Sequence, residues 1–159
     1  MAQDGVPGTG GAEESSLGME YAEKRFEELR VGDRAVVRKT IAAEDIAQFA
    51  ELTGDRHPAH LDEEYAHASA FGQRVAQGML TASLLSTANG LLLGIPGAIS
   101  VEQTLRFLRP VFIGDTITAT SEVVEIFPAT RRLRCRTTCT NQRGEVVIAG
   151  QAIEQKNES

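Results

Sequence analysis

The sequence has few of the features that mark disulfide-rich, membrane-spanning or nucleic-acid-binding proteins. It contains two cysteines and no tryptophan in 159 residues. The longest apolar run, residues 79–93, is interrupted by hydroxyl side chains and is shorter than the roughly 20 residues that a membrane span needs. The net charge is −6, and no basic patch carries interleaved aromatic residues. Because no apolar signal segment follows Met1, these absences together predict a soluble, cytoplasmic protein with neither nucleic acid nor membrane as a partner.

The chain is predicted to form one domain between two tails. Residues 1–19 are rich in glycine and serine and show no periodic apolar pattern, so they are predicted to be a flexible tail. Residues 20–155 are long enough to bury a core, and residues 156–159 are interpreted as a C-terminal tail. Cys135 and Cys139 lie in one strand-like stretch, too far apart to bridge each other, and are interpreted as buried small apolar residues.

The first half of the domain passes from strand-like to helical patterning. Residues 34–41 alternate apolar and polar side chains, which predicts a strand. Residues 42–53 have helical spacing with acids in the first turn, and Gly54 follows as a C-cap. Pro58 cannot continue that helix but suits the first turn of another, so it predicts a second helix over residues 59–68.

The second half of the domain is predicted to combine one buried helix with a sheet. Residues 79–93 are apolar on every side, which predicts a long, fully buried central helix. Four later segments alternate apolar and polar side chains and are predicted to pair in sequence as an antiparallel meander: residues 99–107, 116–126, 132–139 and 146–153. The predicted class is α+β, with an antiparallel sheet wrapped around a long central helix, and the order of elements matches the hotdog fold.

The segment between the first two helices carries the best candidates for acid–base chemistry. Asp55 lies in the predicted loop and His60 in the next helical turn, so the two side chains can converge on one small volume. An imidazole changes charge near neutral pH, and together with a carboxylate it can hold and activate a water molecule. Alternatively, Asp55 caps the helix and His60 is a structural histidine. A metal site built on His57, His60 and His67 is a third alternative, although the spacing is not a recognised zinc pattern.

The same segment carries a family resemblance. Residues 49–60, which end in Gly-Asp-Arg-His-Pro-Ala-His, resemble the signature of the MaoC-like, (R)-specific enoyl-CoA hydratases, in which an aromatic residue precedes Gly-Asp-x-Asn-Pro-x-His. Residues 77–80 and 109–115 are also similar to members of this family, so the resemblance covers residues 31–154. The chain departs from the pattern at His57, where the family usually has asparagine.

The resemblance implies a reaction and a role for four residues. The reaction is the reversible hydration of trans-2-enoyl thioesters of coenzyme A or acyl carrier protein to (R)-3-hydroxyacyl thioesters, without a metal or cofactor. Asp55 and His60 would be the acid–base pair, and Ser86 would contact the substrate. The N–H of Gly78 would bind the oxyanion, since unpaired N–H groups at a helix N-terminus favour negative charge. The family also implies a homodimer or higher homo-oligomer.

Other roles remain open for several of these residues. In the alternative interpretation, Gly78 only starts the central helix, and the Ser86 hydroxyl only donates a hydrogen bond to the helix backbone. A group of arginines either binds the phosphates of coenzyme A or forms a solvated face: Arg106, Arg109, Arg132, Arg134 and Arg136.

Two other functions compete with the hydratase. A hotdog thioesterase is disfavoured because the Asp55 and His60 pair fits the hydratase signature. A non-catalytic subunit that binds acyl thioesters and needs a catalytic partner is disfavoured because both of these residues are present.

Overall fold

One antiparallel sheet curves around a long helix in the computed structural model, which describes residues 19–158. The α-helices are α1 (Ala43–Thr53), α2 (Pro58–Leu61), α3 (Glu63–Ala68) and α4 (Gly78–Leu93). The strands are β1 (Arg34–Thr40), β2 (Ala98–Gln103), β3 (Arg106–Phe107), β4 (Thr116–Phe127), β5 (Arg132–Thr140) and β6 (Val146–Lys156). Single turns of 3₁₀ helix lie at Phe26–Glu28 and Pro128–Thr130. The α+β class and the sheet around a central helix agree with the prediction.

The order of the strands differs from the predicted meander at one end. The order is β1-β4-β5-β6-β2, and β3 also pairs with β6. The meander prediction is right for β4, β5 and β6, which short turns connect, and wrong for β2, which pairs with β6 instead of β4. The reason is that β1 takes the free edge of β4, with Val37 opposite Ala119, so the other edge of the sheet is left for β2.

The predicted strand over residues 99–107 is in fact two strands. Its pairing with β6 is interrupted after Gln103 and resumes at Arg106. Gly150 on β6 faces this break, and a Cβ atom at Gly150 would lie 1.8 Å from the carbonyl oxygen of Thr104. The close approach of the two backbones therefore requires glycine at this position.

The core lies between the concave face of the sheet and α4. Leu85 and Leu92 of α4 pack within buried clusters, and Ile117 of β4 is fully buried. Burial of each leucine side chain contributes about 1.5–3 kcal/mol to the free energy of folding. Cys135 and Cys139 are both free thiols buried on β5, as predicted.

The central helix is not fully buried, contrary to the prediction. Met79, Ser83 and Ser86 form a stripe with helical spacing that is exposed, and Met79 has 56% of its surface accessible. The buried residues of α4 pack against the sheet, and this stripe lies outside the core of one chain.

The segment between α1 and α4 contains two short helices where one was predicted. Gly54 ends α1 in the left-handed conformation, with φ of 79°, and Pro58 begins α2, as predicted. The predicted helix over residues 59–68 is broken at Asp62, which adopts an extended conformation. Its carboxylate accepts a hydrogen bond from the N–H of Tyr65 at 2.8 Å and so caps α3.

The two ends of the domain extend slightly beyond the predicted boundaries. Residues 1–18 of the predicted tail lie outside the described residues, whereas Met19 packs against the core. Strand β6 continues through Lys156, whose buried ammonium group donates a hydrogen bond to the carbonyl of Gly94 at 3.2 Å. Between residues 19 and 158, no helix is both long and apolar enough to cross a membrane.

Candidate active site

The structure brings Asp55 and His60 together as predicted. Asp55 lies in the loop after α1, and His60 lies in α2. The distance from His60 Nε2 to Asp55 Oδ2 is 3.9 Å, which is too long for a direct hydrogen bond. The His60 side chain is 15% exposed and that of Asp55 is 46% exposed. A water molecule between the two atoms can bond to both of them, with one side open to solvent.

A hydrogen bond on the far side of the ring fixes the tautomer of His60. Its Nδ1 lies 2.7 Å from the carbonyl oxygen of Val75. Because a carbonyl only accepts, Nδ1 carries the proton of the neutral ring, and Nε2 presents a lone pair toward Asp55. In this tautomer His60 is able to accept a proton from water.

His57, which departs from the family signature, performs the capping role expected of asparagine. Its Nδ1 accepts a hydrogen bond from the N–H of Ala59 at 3.2 Å, at the N-terminus of α2. The ring also makes edge contacts with His60 and Tyr65, with centroids 6.0 and 5.8 Å apart. Histidine in place of asparagine at position 57 therefore preserves the cap of α2 and places an aromatic ring beside His60.

Gly78 lies at the N-terminus of α4 and lines the same cavity as His60. The cavity has a volume of about 570 Å³ and is mostly apolar. The first backbone hydrogen bonds at this end of α4 are donated by Leu80 and Thr81 to the carbonyl of Gln77. A Cβ atom at Gly78 would lie 2.8 Å from the ring of Phe107. The N–H end of the helix therefore faces the cavity at a point where only glycine fits without movement of Phe107.

Thr81 is a candidate that the sequence reasoning missed. It lines the cavity, and its buried hydroxyl oxygen has no hydrogen-bond partner in the part of the chain that the structure describes. A helical threonine usually bonds to the backbone one turn earlier, so an unpaired hydroxyl here is available to a bound molecule. The position of Thr81, one turn after Gly78 inside an apolar run, was the available signal.

Ser86 does not share this cavity. It lines a second cavity of about 420 Å³, whose wall also includes Gly90, Ser100 and Glu154. The hydroxyl of Ser83 donates to the helix backbone at 2.6 Å, whereas within residues 19–158 no such bond is found for Ser86. Within one chain, Ser86 is therefore separated from the other three predicted residues.

Glu154 is a buried carboxyl group at the second cavity. Its oxygens accept hydrogen bonds from Asn89 Nδ2 and Ser100 Oγ, both at 2.9 Å. Desolvation by burial raises the pKa of Glu154 to about 7, although these two hydrogen bonds act to lower it. The sequence reasoning missed this residue because the last strand was predicted to end at residue 153, whereas β6 continues through Lys156 and carries Glu154 inward.

The arginines of the second half are mostly paired with nearby acids. Arg134 contacts Glu125 at 3.0 Å and Arg136 contacts Glu122 at 3.1 Å, all on the outer face of the sheet. Their arrangement is that of a solvated face. Arg109 lies 4.0 Å from Glu145 and differs from the others because it lines the cavity that contains His60 and Gly78. Among residues 19–158, no three histidine, cysteine or acidic side chains come close enough to hold a metal ion.

Comparisons with known proteins agree on one family. The MaoC like domain matches residues 30–145. The chain is 44% identical over 128 residues to a 3-hydroxybutyryl-CoA dehydratase of Methylorubrum extorquens, covering 80% of this chain and 81% of the relative. It is 46% identical over 127 residues to an (R)-specific enoyl-CoA hydratase of Rhodospirillum rubrum, covering 80% and 88%. The unliganded structure of the R-hydratase PhaJ1 from Pseudomonas aeruginosa is similar, with a TM-score of 0.79, 42% identity and coverage of 84% and 86%.

Proposed function

We infer the reaction from one premise, which is that the chain belongs to the MaoC-like domain family. The family resemblance and the hotdog fold predicted from the sequence are thereby confirmed. The chain is a hydro-lyase of acyl thioesters, an (R)-specific enoyl-CoA hydratase that also catalyses the reverse dehydration of 3-hydroxyacyl thioesters. The observation that carries the residue-level proposal is the 3.9 Å gap between Asp55 and His60 beside the apolar cavity.

In the proposed mechanism, the attacking water bridges Asp55 and the Nε2 atom of His60. One O–H bond of the water breaks, its oxygen bonds to C3 of the enoyl group, and its proton passes to the pair. The same proton then goes to C2, so the pair returns to its starting charge. The fixed tautomer favours Nε2 of His60 as the first acceptor, and Asp55 then stabilises the imidazolium.

The developing negative charge on the thioester oxygen requires a separate donor. We assign this role to the N–H of Gly78, which lies at the N-terminus of α4 and lines the cavity. The helix end favours an anion, and its N–H donor is already in place when the oxyanion forms, so no reorganisation of the protein is needed. Thr81 lies on the same cavity wall and is proposed to contact the thioester through its unpaired hydroxyl.

The proposed substrates are acyl-CoA or acyl carrier protein thioesters. The named activities of the relatives make crotonyl-CoA and (R)-3-hydroxybutyryl-CoA the first compounds to test. The apolar cavity fits the acyl portion, and Arg109 on its wall is half exposed and positively charged, which suits a phosphate of the carrier.

The exposed face of the chain supports a homodimer. Every residue of the edge strand β2 is exposed, including Ile99 and Val101. The exposed stripe of α4 contains Met79 and Ser86. Free strand edges and apolar patches are sites of association. The β2 strand of a second copy of the chain would pair with the unpaired backbone groups of this edge. The second cavity and Ser86 would then lie close to the partner subunit. The proposed location of the protein is the cytoplasm.

Loss of the conjugated-thioester absorbance of crotonyl-CoA tests the reaction. Asp55→Asn and His60→Gln are expected to lower kcat by about 10²- to 10⁴-fold. His67→Gln is a matched control, because His67 is an exposed histidine of the neighbouring helix α3. Release of free thiol by the wild-type protein would instead indicate a thioesterase. Binding without any turnover would indicate a non-catalytic subunit.

A further inference from the structure

The histidine of the proposed pair, His60, lies on a helix that is too short to be stable without tertiary contacts. Helix α2 has four residues, and its backbone bonds run from His60 N–H to the carbonyl of His57 and from Asp62 N–H to that of Pro58, both at 2.9 Å. One turn is at the unfavourable nucleation stage of helix formation. The chain then bends at Asp62, and among the described residues no N–H group of α3 donates to the carbonyls of Ala59 and His60. Their partners must come from elsewhere.

Two consecutive residues, Arg74 and Val75, supply these partners. The N–H of Val75 donates to the carbonyl of Ala59 at 3.2 Å. The guanidinium Nε of Arg74 donates to the carbonyl of His60 at 2.7 Å. The carbonyl of Val75 accepts from the His60 ring at 2.7 Å. The backbone and the ring of His60 are therefore both held by one short segment.

We propose that Arg74 is a positioning residue, which holds the backbone of His60 so that the imidazole keeps its direction and tautomer toward the reacting water. This inference rests on the proposed function for its catalytic consequence. Arg74 contacts the backbone of His60 and lies outside the cavity wall, so it acts through His60 and not on the substrate.

The surroundings of Arg74 favour this role over a general contribution to stability. Its side chain is only 14% exposed, and within residues 19–158 its one ion pair is with the 75% exposed Glu63, at 3.3 Å. A surface pair of this kind contributes little to stability. The bond to the His60 carbonyl is shorter, involves a charged donor and is less accessible to water, so it is the stronger contact. The residue that follows Arg74, Val75, also bears the carbonyl that fixes the His60 tautomer.

Steady-state kinetics with crotonyl-CoA on three variants test the proposal. Arg74→Gln removes the charge and leaves a shorter side chain that no longer reaches the His60 carbonyl. The value of kcat is expected to fall about 10- to 100-fold, because displacing a reacting group by about 1 Å lowers the rate by up to about 100-fold. KM is expected to stay within about twofold, since Arg74 does not contact the substrate. Arg74→Lys, which keeps the charge and one donor, is expected to recover part of kcat. Glu63→Gln breaks the ion pair alone and is expected to keep the wild-type rate.

Nitrogen-15 NMR of the histidine side chains separates positioning from loss of fold. Wild-type His60 is expected to show the Nδ1-protonated tautomer, and Arg74→Gln is expected to show a mixture of tautomers while the remaining backbone spectrum is unchanged. Wild-type kcat in Arg74→Gln, or an unchanged tautomer with reduced kcat, would overturn the proposal. If Arg74→Gln does not fold, Arg74→Lys decides by the same two measurements. If the wild-type protein hydrates no enoyl thioester, the proposed function fails while the NMR result still tests the link from Arg74 to His60.

Discussion

The buried carboxyl group of Glu154 should make the stability of the protein depend on pH in a defined direction. In the folded protein its pKa is about 7, against an ordinary value of 4.5, because burial disfavours the charged form. Below pH 4.5 the group is protonated whether the chain is folded or unfolded, and it carries no penalty. Between pH 4.5 and 7 the folded state binds the proton more tightly, so stability falls as the pH rises. Above pH 7 the full penalty remains.

The size of the penalty follows from the two pKa values. One pKa unit corresponds to about 1.4 kcal/mol, so a rise from 4.5 to about 7 corresponds to about 3 kcal/mol at pH 8. Glu154→Gln replaces the carboxyl group by a neutral amide of the same shape, whose oxygen still accepts from Asn89 and Ser100. The variant is therefore expected to be more stable than the wild type at pH 8 by up to about 3 kcal/mol.

Urea denaturation at several pH values and one fixed protein concentration measures this difference. The two proteins should have the same free energy of unfolding at pH 4.5 and should diverge progressively up to pH 8. Glu125→Gln, on the exposed outer face, serves as the control and should show no such divergence. A difference between Glu154→Gln and wild type that is constant with pH, or a variant that is less stable at pH 8, would refute the reasoning.

Three further predictions concern the dimer face, the sheet and the oxyanion site. If β2 forms the proposed dimer interface, Val101→Lys, which places a charge on this exposed edge strand, should lower the mass measured by sedimentation equilibrium from that of a dimer to that of a monomer; a dimer mass unchanged by the substitution would argue against this face. Gly150→Ala should destabilise the fold by about 3 kcal/mol in urea denaturation, because the new methyl group overlaps the Thr104 carbonyl; equal midpoints would contradict this. Gly78→Ala should lower kcat/KM about 100-fold with an unchanged melting temperature, because the methyl group meets Phe107 beside the oxyanion donor. Wild-type turnover by Gly78→Ala would contradict the expected crowding of the oxyanion donor by the new methyl group.

The elements with strong local signals were predictable from the sequence. The alternation of β1, the helical spacing of α1 and the length of α4 each determine an element without reference to the rest of the chain. Gly54 readily adopts the left-handed conformation that ends a helix, and Pro58 fixes its own φ, so the end of α1 and the start of α2 were also predictable. The same two residues put Asp55 and His60 next to each other.

Features that depend on distant parts of the chain were not predictable. The position of β2 beside β6 follows from competition with β1 for the edge of β4, and alternation within a strand carries no information about its neighbours. The contact of Arg74 with the His60 backbone and the separation of Ser86 from Asp55 and His60 likewise depend on tertiary packing. The break at Asp62 had a local signal that was missed, namely an N-capping residue followed by two acids.

The sheet order has a consequence for how the protein is made. The pairs Arg34 with Glu122 and Ala98 with Lys156 join parts of the chain that leave the ribosome far apart in time. Loop closure over such distances slows folding, and until β6 emerges the apolar helix α4 has no complete sheet to pack against. A truncation that removes β6 should therefore leave a nascent chain that engages chaperones instead of a partly folded enzyme. The final strand, which contributes nothing to the proposed catalytic pair, determines when the active site first exists.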